Sequence, residues 1–228
     1  MSAIVKFAIT SNREQKFLTI QRVLSDFLGA EVKENHILDI GTGNGEIAEY
    51  FAKNNEVCAV DVFDQRKNKT GKVKFSLIKG TALPFDAETF DIVLSNHVGE
   101  HTPDWNEHLN EIKRVLKPRG ICYLASPNRL FPWEGHYNVW FIHYLPRTLF
   151  FSLLKTMGIY QEDVKLLTWF QLKRMLKKKF FFKEYTQEII KYQDRYYMKI
   201  PVVGKFPMFA IRALRFLSQA NMFVLKKK

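Results

Sequence analysis

The sequence predicts an α/β fold of the doubly wound type, a mostly parallel sheet with helices on both faces. Three observations predict it. Short apolar runs alternate with helical patterns between residues 36 and 128; a glycine-rich loop joins the first run to the helix after it; and the second run ends on an acidic residue, Asp61. Parallel strands need crossover helices, and ligands on such sheets bind beyond the carboxyl ends of the strands, so function is to be sought there.

Each element follows from its local pattern. Ser11 and Glu14 stand at capping-box spacing, and Phe17, Ile20, Leu24, Phe27 and Leu28 recur at helical intervals up to Gly29, which predicts an opening amphipathic helix. Residues 37–40, a helix over 46–53 and residues 57–61 form a βαβ unit. Further strands are expected at 75–78, 90–96 and 121–126. Between the last two, Pro103 and Asp104 open a helix with Leu109, Ile112 and Leu116 on one face, and Pro118 and Gly120 follow its end. Residues 129–165 are aromatic, proline-punctuated and irregular, and read as a lid insertion after the fifth strand. A helix over 168–179, a strand over 180–185, a helix over 203–220 and a strand over 222–225 close the chain. With no repeat or linker in the pattern, the expected organisation is a single domain over 1–228. It comprises a cofactor-binding core (36–128), a lid or acceptor insertion (129–165) and a basic C-terminal part (166–228) that completes the sheet.

The chain has 228 residues, 46% hydrophobic and 25% charged, which excludes intrinsic disorder, collagen-like repeats and a disulfide scaffold. Its net charge of +12 is a C-terminal property: residues 173–228 hold 15 Lys and Arg against 3 Asp and Glu, while residues 1–172 hold 20 of each sign. Such a surface suits an anionic partner, either phospholipid headgroups, RNA or a phosphorylated substrate. In the helix expected over 203–220, Phe206, Phe209, Ala210, Ala213, Phe216 and Leu217 form an apolar stripe bordered by Lys205, Arg212 and Arg215. That pattern suits either core packing or docking on a membrane surface. Cys58 and Cys122 lie in strand-like runs without metal-ligand neighbours and read as buried thiols of a reducing compartment. No secretory signal is visible, and no run of about 18 apolar residues lacks a charge. The expectation is a cytoplasmic protein, peripheral to a membrane at most.

The loop Asp39-Ile-Gly41-Thr42-Gly43-Asn-Gly45 sits between strand and helix, where glycines let the backbone approach a ligand. A dinucleotide fingerprint wants its third glycine at position 46, which is Glu46, and the Gly-Lys-Ser/Thr of a phosphate loop is absent. Asp61 follows Gly41 at the spacing of a ribose-binding acid. The expected ligand is a nucleoside without a pyrophosphate.

The string LDIGTGNGEIAEYFA resembles the first motif of class I S-adenosylmethionine-dependent methyltransferases, and CAVDVF resembles their second strand. GTALPFDAETFDIVLSNHVGEH and LNEIKRVLKPRGICYLASPN resemble the later motifs of the subfamily of ubiquinone- and menaquinone-type methyltransferases. The resemblance covers residues 36–128. It implies a Rossmann-like, seven-stranded sheet whose last strand, in NMFVLKKK, is antiparallel, and S-adenosylmethionine as cofactor. By the same resemblance Asp39, Gly41, Thr42, Gly43 and Gly45 surround its methionine end, Asp61 and Val62 its ribose side, Thr81 and Ala82 its adenine, and Asn96 and His97 its sulfonium. The acidic residue that the family often carries near Gly80 is missing here, where the neighbours are Lys79 and Thr81.

His97, Glu100 and His101 satisfy the H-x-x-E-H pattern of some zinc peptidases, but the segment leaves a strand and contains Gly99, so the histidines do not share a helix face. Some ubiquinone-type relatives bind a divalent metal through acidic residues and a histidine in this stretch. Glu100 and His101 match them, His97 stands where the first acid would be, and the expectation is no metal, with Glu100 and His101 capping the loop. Methyl transfer to a hydroxyl needs a base, and histidine is suited to the role. The candidates are His136, with Tyr137 beside it, then His97 and His101, with His143 as a further one. The aromatic insertion suits a small hydrophobic, lipid-like or membrane-associated acceptor, methylated at oxygen, with the basic C-terminus toward an anionic membrane surface. An RNA acceptor is disfavoured because Ser95-Asn96-His97-Val98 lacks the Asn-Pro-Pro-Tyr type motif. A non-catalytic, membrane-bound cofactor-binding scaffold is the remaining alternative.

Overall fold

The structure is a computed structural model that describes residues 13–160, 164–198, 207–213 and 218–228. Seven strands form one sheet in the order β3-β2-β1-β4-β5-β9-β8, with β1 (His36–Ile40), β2 (Glu56–Asp61), β3 (Lys74–Leu77), β4 (Phe90–Asn96), β5 (Leu116–Pro127), β8 (Phe180–Glu184) and β9 (Ala220–Lys227). β1 to β5 pair in parallel, and β9 runs antiparallel to both β5 and β8. This is the doubly wound sheet with an antiparallel final strand that the sequence predicts.

Successive strand residues face opposite sides, and each side has its own core. Ile37, Ala59, Ile92, Tyr123 and Val224 pack under α1 (Arg13–Leu28), α2 (Glu46–Phe51) and α6 (Thr186–Lys191) through Ile20, Leu24, Phe51 and Ile189. Leu38, Val60, Val93, Cys122 and Phe223 pack under α3 (Trp105–Val115) and α5 (Trp169–Lys179) through Leu109, Ile112, Leu172 and Leu176. Asp104 caps α3 by accepting the Asn106 N–H at 2.8 Å, and Thr168 with Gln171 forms a full capping box on α5. Both cysteines are buried and unpaired.

The departures from expectation are local. β5 starts at Leu116, directly after α3, because Pro118 disfavours helix in the residue before it; Leu116 leaves the helix as its extended C-cap. The insertion is ordered rather than irregular. It holds a hairpin of β6 (Trp133–Glu134) and β7 (Val139–Trp140), a 3-10 turn at Ile142–Tyr144, and α4 (Arg147–Thr156). Tyr137, Ile142, Phe150, Leu154 and Val164 give it a small core of its own. Buried Asn128 pins its ends: Asn128 Oδ1 accepts the Leu130 and Trp169 N–H groups, both at 3.2 Å, and Nδ2 donates to Ser218 O at 3.0 Å. Ser11, with Lys205, Phe206, Arg215, Phe216 and Leu217 of the expected C-terminal helix, lies outside the described residues. The described part of that helix is α7 (Met208–Ala213), and Ala220 already belongs to β9.

Candidate cofactor and acceptor site

The glycine loop leaves β1 with Gly41, Gly43 and Gly45 at φ of 66°, 55° and 83°, a region that side-chain-bearing residues rarely adopt. Gly41 is the most constrained, since a Cβ there would lie 2.6 Å from Val98 Cγ2; the loop rests directly on the segment that follows β4. At Gly43 a Cβ would meet nothing within 4 Å. Asp61, at the end of β2, accepts the Gly43 N–H through Oδ2 and the Val62 N–H through Oδ1, each at 2.7 Å. A carboxylate has about four lone-pair positions, so Asp61 ties the loop and keeps acceptor capacity.

Asp39 is 2% exposed, and its Oδ2 has no hydrogen-bond partner. Burial, and after it the charge of Asp61, raises the Asp39 carboxyl to about 7. Thr42 is turned inward: its N–H donates to Val60 O at 3.2 Å and its side chain is buried. Val62 and Phe63 are exposed beside Asp61, apolar surface that a flat nucleoside base could cover. Phe63 was missed by the sequence reading, although its position after Asp61 was the available signal.

The segment carrying Thr81 and Ala82 is held from α3. Leu83 donates its N–H to Glu111 Oε2 at 2.8 Å, and Arg114 donates to Leu83 O at 3.0 Å and Phe85 O at 2.6 Å. The Thr81 hydroxyl donates to Glu107 Oε2 at 3.1 Å, and Ala82 is exposed. Glu107, which stands four residues before Glu111 on α3, is thus the carboxylate beside Thr81.

At the end of β4, His97 has φ 60° and donates its N–H to Ala125 O at 2.9 Å; its side chain is 42% exposed. Buried Glu100, in the turn Gly99–His101, stands with Oε1 3.5 Å from His97 Nδ1 and 4.0 Å from His101 Nε2. Burial alone would raise its carboxyl, but His97 and then His101 outweigh it, and the group lies below the ordinary range. The turn packs closely because a Cβ on Gly99 would sit 2.3 Å from the Trp105 ring. From the insertion, His136 Nδ1 lies 2.7 Å from Glu134 Oε1, and the His136 ring meets that of His101 edge to face at 5.2 Å.

Two candidates are corrected. The Tyr137 ring is buried in the insertion's own core, edge-on to Phe150 at 5.9 Å, because the hairpin turns it inward. His143 is also buried, and burial lowers its pKa. A cavity of about 180 Å³ opens at the carboxyl ends of β4 and β5, lined by Lys16, Ile20, Asn96, His97, Met198 and Met222 among others; His136 is not part of its lining. A larger open groove, about 740 Å³, lies at the opposite end of the strands around Asn35, Glu56, Asp91 and Lys117. It is remote from the glycine loop and lies at the amino-terminal ends of the strands, where this sheet type does not bind its ligands.

Residues 38–124, which contain the loop, Asp61 and His97, match the family described as methyltransferase domain. Over these residues the chain is similar to class I S-adenosylmethionine-dependent methyltransferases, and its sheet has their fold. An uncharacterized methyltransferase of Mycobacterium sp. (strain JLS) is 35% identical over 115 residues, 48% of this chain and 45% of that relative. The ubiquinone biosynthesis O-methyltransferase of Bartonella tribocorum is 35% identical over 102 residues, 41% of each chain. These matches span less than half the length of either relative. The 1,6-didemethyltoxoflavin-N1-methyltransferase of Burkholderia thailandensis, solved with 1,6-didemethyltoxoflavin and S-adenosylhomocysteine bound, has the same fold: TM-score 0.56, covering 96% of this chain and 80% of that one at 16% identity.

Proposed function

We propose that this methyltransferase transfers the methyl group of S-adenosylmethionine to an oxygen of a small hydrophobic or membrane-associated acceptor. One observation carries the reading: at the carboxyl ends of β1, β2 and β4, Asp61 ties the Asp39–Gly45 loop, the loop rests on Val98, and the neighbouring His97 lines a cavity. In this reading the glycine loop and Asp39 face the methionine end, Asp61 accepts from the ribose, Val62, Thr81 and Ala82 border the adenine, and Asn96 and His97 border the sulfonium.

The reaction is an in-line displacement. The acceptor oxygen forms its bond to the methyl carbon as the carbon–sulfur bond breaks, the bonding pair stays on sulfur, and the hydroxyl proton passes to a base. Alignment alone is worth up to ~7–11 kcal/mol in model systems. His97 takes the proton, since it borders the cavity, and Glu100 Oε1, 3.5 Å from its Nδ1, sits where it orients the ring. His136, the first choice from sequence, is engaged by Glu134 away from the cavity.

Ile20, Met198 and Met222 favour an apolar acceptor in that cavity. Leu149, Leu153 and Met157 form an exposed stripe along and just beyond α4, near exposed Trp140, Phe141 and Tyr144 in sequence, with Arg147 and Lys155 on the same helix. Apolar side chains with basic neighbours suit an interfacial position, and exposed Phe209 and Arg212 on α7 repeat the combination. No helix among the described residues is long and apolar enough to cross a membrane. The test is incubation with methyl-labelled cofactor and either lipid extract or total RNA, with co-sedimentation on anionic vesicles. Label in the lipid fraction and salt-sensitive vesicle binding are expected; label confined to RNA would overturn the acceptor class.

A further inference from the structure

The cavity at the carboxyl ends of β4 and β5 has an apolar wall made by Ile20 of α1, Ala125 of β5, Met198, and Ala220 and Met222 of β9. Most of its polar groups are already engaged. The Thr19 hydroxyl is held by Tyr196 O at 2.6 Å, Gln219 has a partner of its own, and the His97 ring stands against Glu100. Lys16 is exposed to solvent.

Tyr123, which also lines the cavity, differs from these. It stands on β5 between Leu94 of β4 and Val224 of β9, on the sheet face that α1 covers, and is 2% exposed. Among the described residues its hydroxyl makes no hydrogen bond, and burial is the one influence on its phenol. Buried hydroxyls normally find a partner, and leaving one without is costly. Tyr196, equally buried, reaches Glu188 Oε2 at 3.4 Å. Burial also pushes the Tyr123 pKa up, so the group stays protonated. It is a donor in want of an acceptor, and it is no base.

We infer that Tyr123 is the specificity-determining residue of this cavity, and that its hydroxyl donates to a carbonyl oxygen of the methyl acceptor. The inference rests on the methyl-transfer reading and narrows its substrate class to small, mainly apolar hydroxyl compounds that also carry a carbonyl group. A carbonyl oxygen has two lone pairs and no proton, so it complements the phenol without bringing in a donor that the apolar wall cannot satisfy. A carboxylate would place a charge against Ile20, Met198 and Met222. The register also separates the two ends of such a molecule. Tyr123 pairs with Leu94, and Ala125 with Asn96, so Tyr123 is rooted ~7 Å deeper along the strands than Asn96 and the adjoining His97. With the carbonyl held at the floor, the hydroxyl is the oxygen left to face His97 and the cofactor.

The test compares two probes, 4-hydroxyacetophenone and 4-ethylphenol, which share a ring and a hydroxyl and differ by a carbonyl in place of a methylene. Both are titrated by ligand-observed NMR into the full chain with S-adenosylhomocysteine present. The wild type should bind the ketone roughly 2–12-fold more tightly, the range of one net hydrogen bond, and the ketone's carbonyl carbon should shift downfield on binding. Tyr123→Phe should erase both effects and bring the ketone to the affinity of 4-ethylphenol, while S-adenosylhomocysteine affinity stays unchanged. Circular dichroism checks the fold, and the wild-type comparison decides the matter where Tyr123→Phe misfolds. Equal wild-type affinities, no binding of either probe, or a preference that survives in folded Tyr123→Phe would overturn the inference. Methyl transfer is scored separately with labelled cofactor and extract: a Tyr123-dependent preference without transfer would sink the transfer reading and leave the carbonyl site standing, and transfer without the preference would do the reverse.

Discussion

Asp39 gives the cofactor site a calculable pH dependence. Its carboxyl is raised to about 7 by burial in the first place, and in the proposed complex it lies near the cationic amino group of the cofactor. Binding therefore favours the ionised form, which in the free protein makes up about one-eleventh of the population near pH 6 and about three-quarters near pH 7.5. Affinity for S-adenosylhomocysteine should rise about eightfold across that range, ~1.2 kcal/mol. Isothermal titration at half-unit steps reads it directly, and Asp39→Asn should flatten the profile. The same shift acts on stability with a definite sign. The folded state holds a proton that the unfolded state releases between 3.8 and about 7, so stability falls as pH rises through that window, by at most about 4 kcal/mol. The Asn variant should lose that fall in thermal unfolding. A flat wild-type binding profile, or one that persists in Asp39→Asn, would refute the assignment of Asp39 to the amino group.

Three other outcomes are expected. Asp61→Ala removes both the tie to Gly43 and the ribose acceptor, so cofactor affinity should fall by ~1.5–3 kcal/mol by calorimetry; wild-type affinity in a folded variant would place the nucleoside elsewhere. Gly41→Ala forces a Cβ to within 2.6 Å of Val98 at φ 66°, and chemical denaturation should show a loss of ~1–3 kcal/mol; an unchanged midpoint would mean that the loop does not pack as described. His97→Ala should lower turnover on a competent extract by roughly 10²–10⁴-fold and leave S-adenosylhomocysteine affinity unchanged, and an equal loss of both would make His97 a cofactor residue only.

What the sequence revealed and what it concealed divide along contact range. β1, the glycine loop, α2 and β2 were readable because apolar period, glycine spacing and Asp61 all lie within a short stretch, and each is a local signal. α4 was concealed because Pro146 precedes it without a side-chain cap and its aromatic residues resemble a loop-packing cluster. α6, six residues long, is too short to show a period. At the site, Asp39 and Asp61 were legible from motif and spacing. Glu107 beside Thr81 and His136 beside His101 were not, because α3 and the β6–β7 hairpin bring them there only after the sheet has formed. Tyr137 failed as a catalytic candidate for a related reason: adjacency to His136 in sequence put its ring on the other side of the hairpin, in the core with Phe150.

The central claim is that cofactor loop and acceptor cavity act together in methyl transfer. Its most direct measurement is product accounting: wild-type protein, methyl-labelled S-adenosylmethionine and lipid extract, with S-adenosylhomocysteine and labelled product quantified over time. The account predicts equal amounts of the two, with the label in a methyl ether or ester of a small apolar product, and formation lost in Asp61→Ala. Tight cofactor binding with no labelled product from any extract would contradict it, and would leave a nucleoside-binding protein without transferase activity.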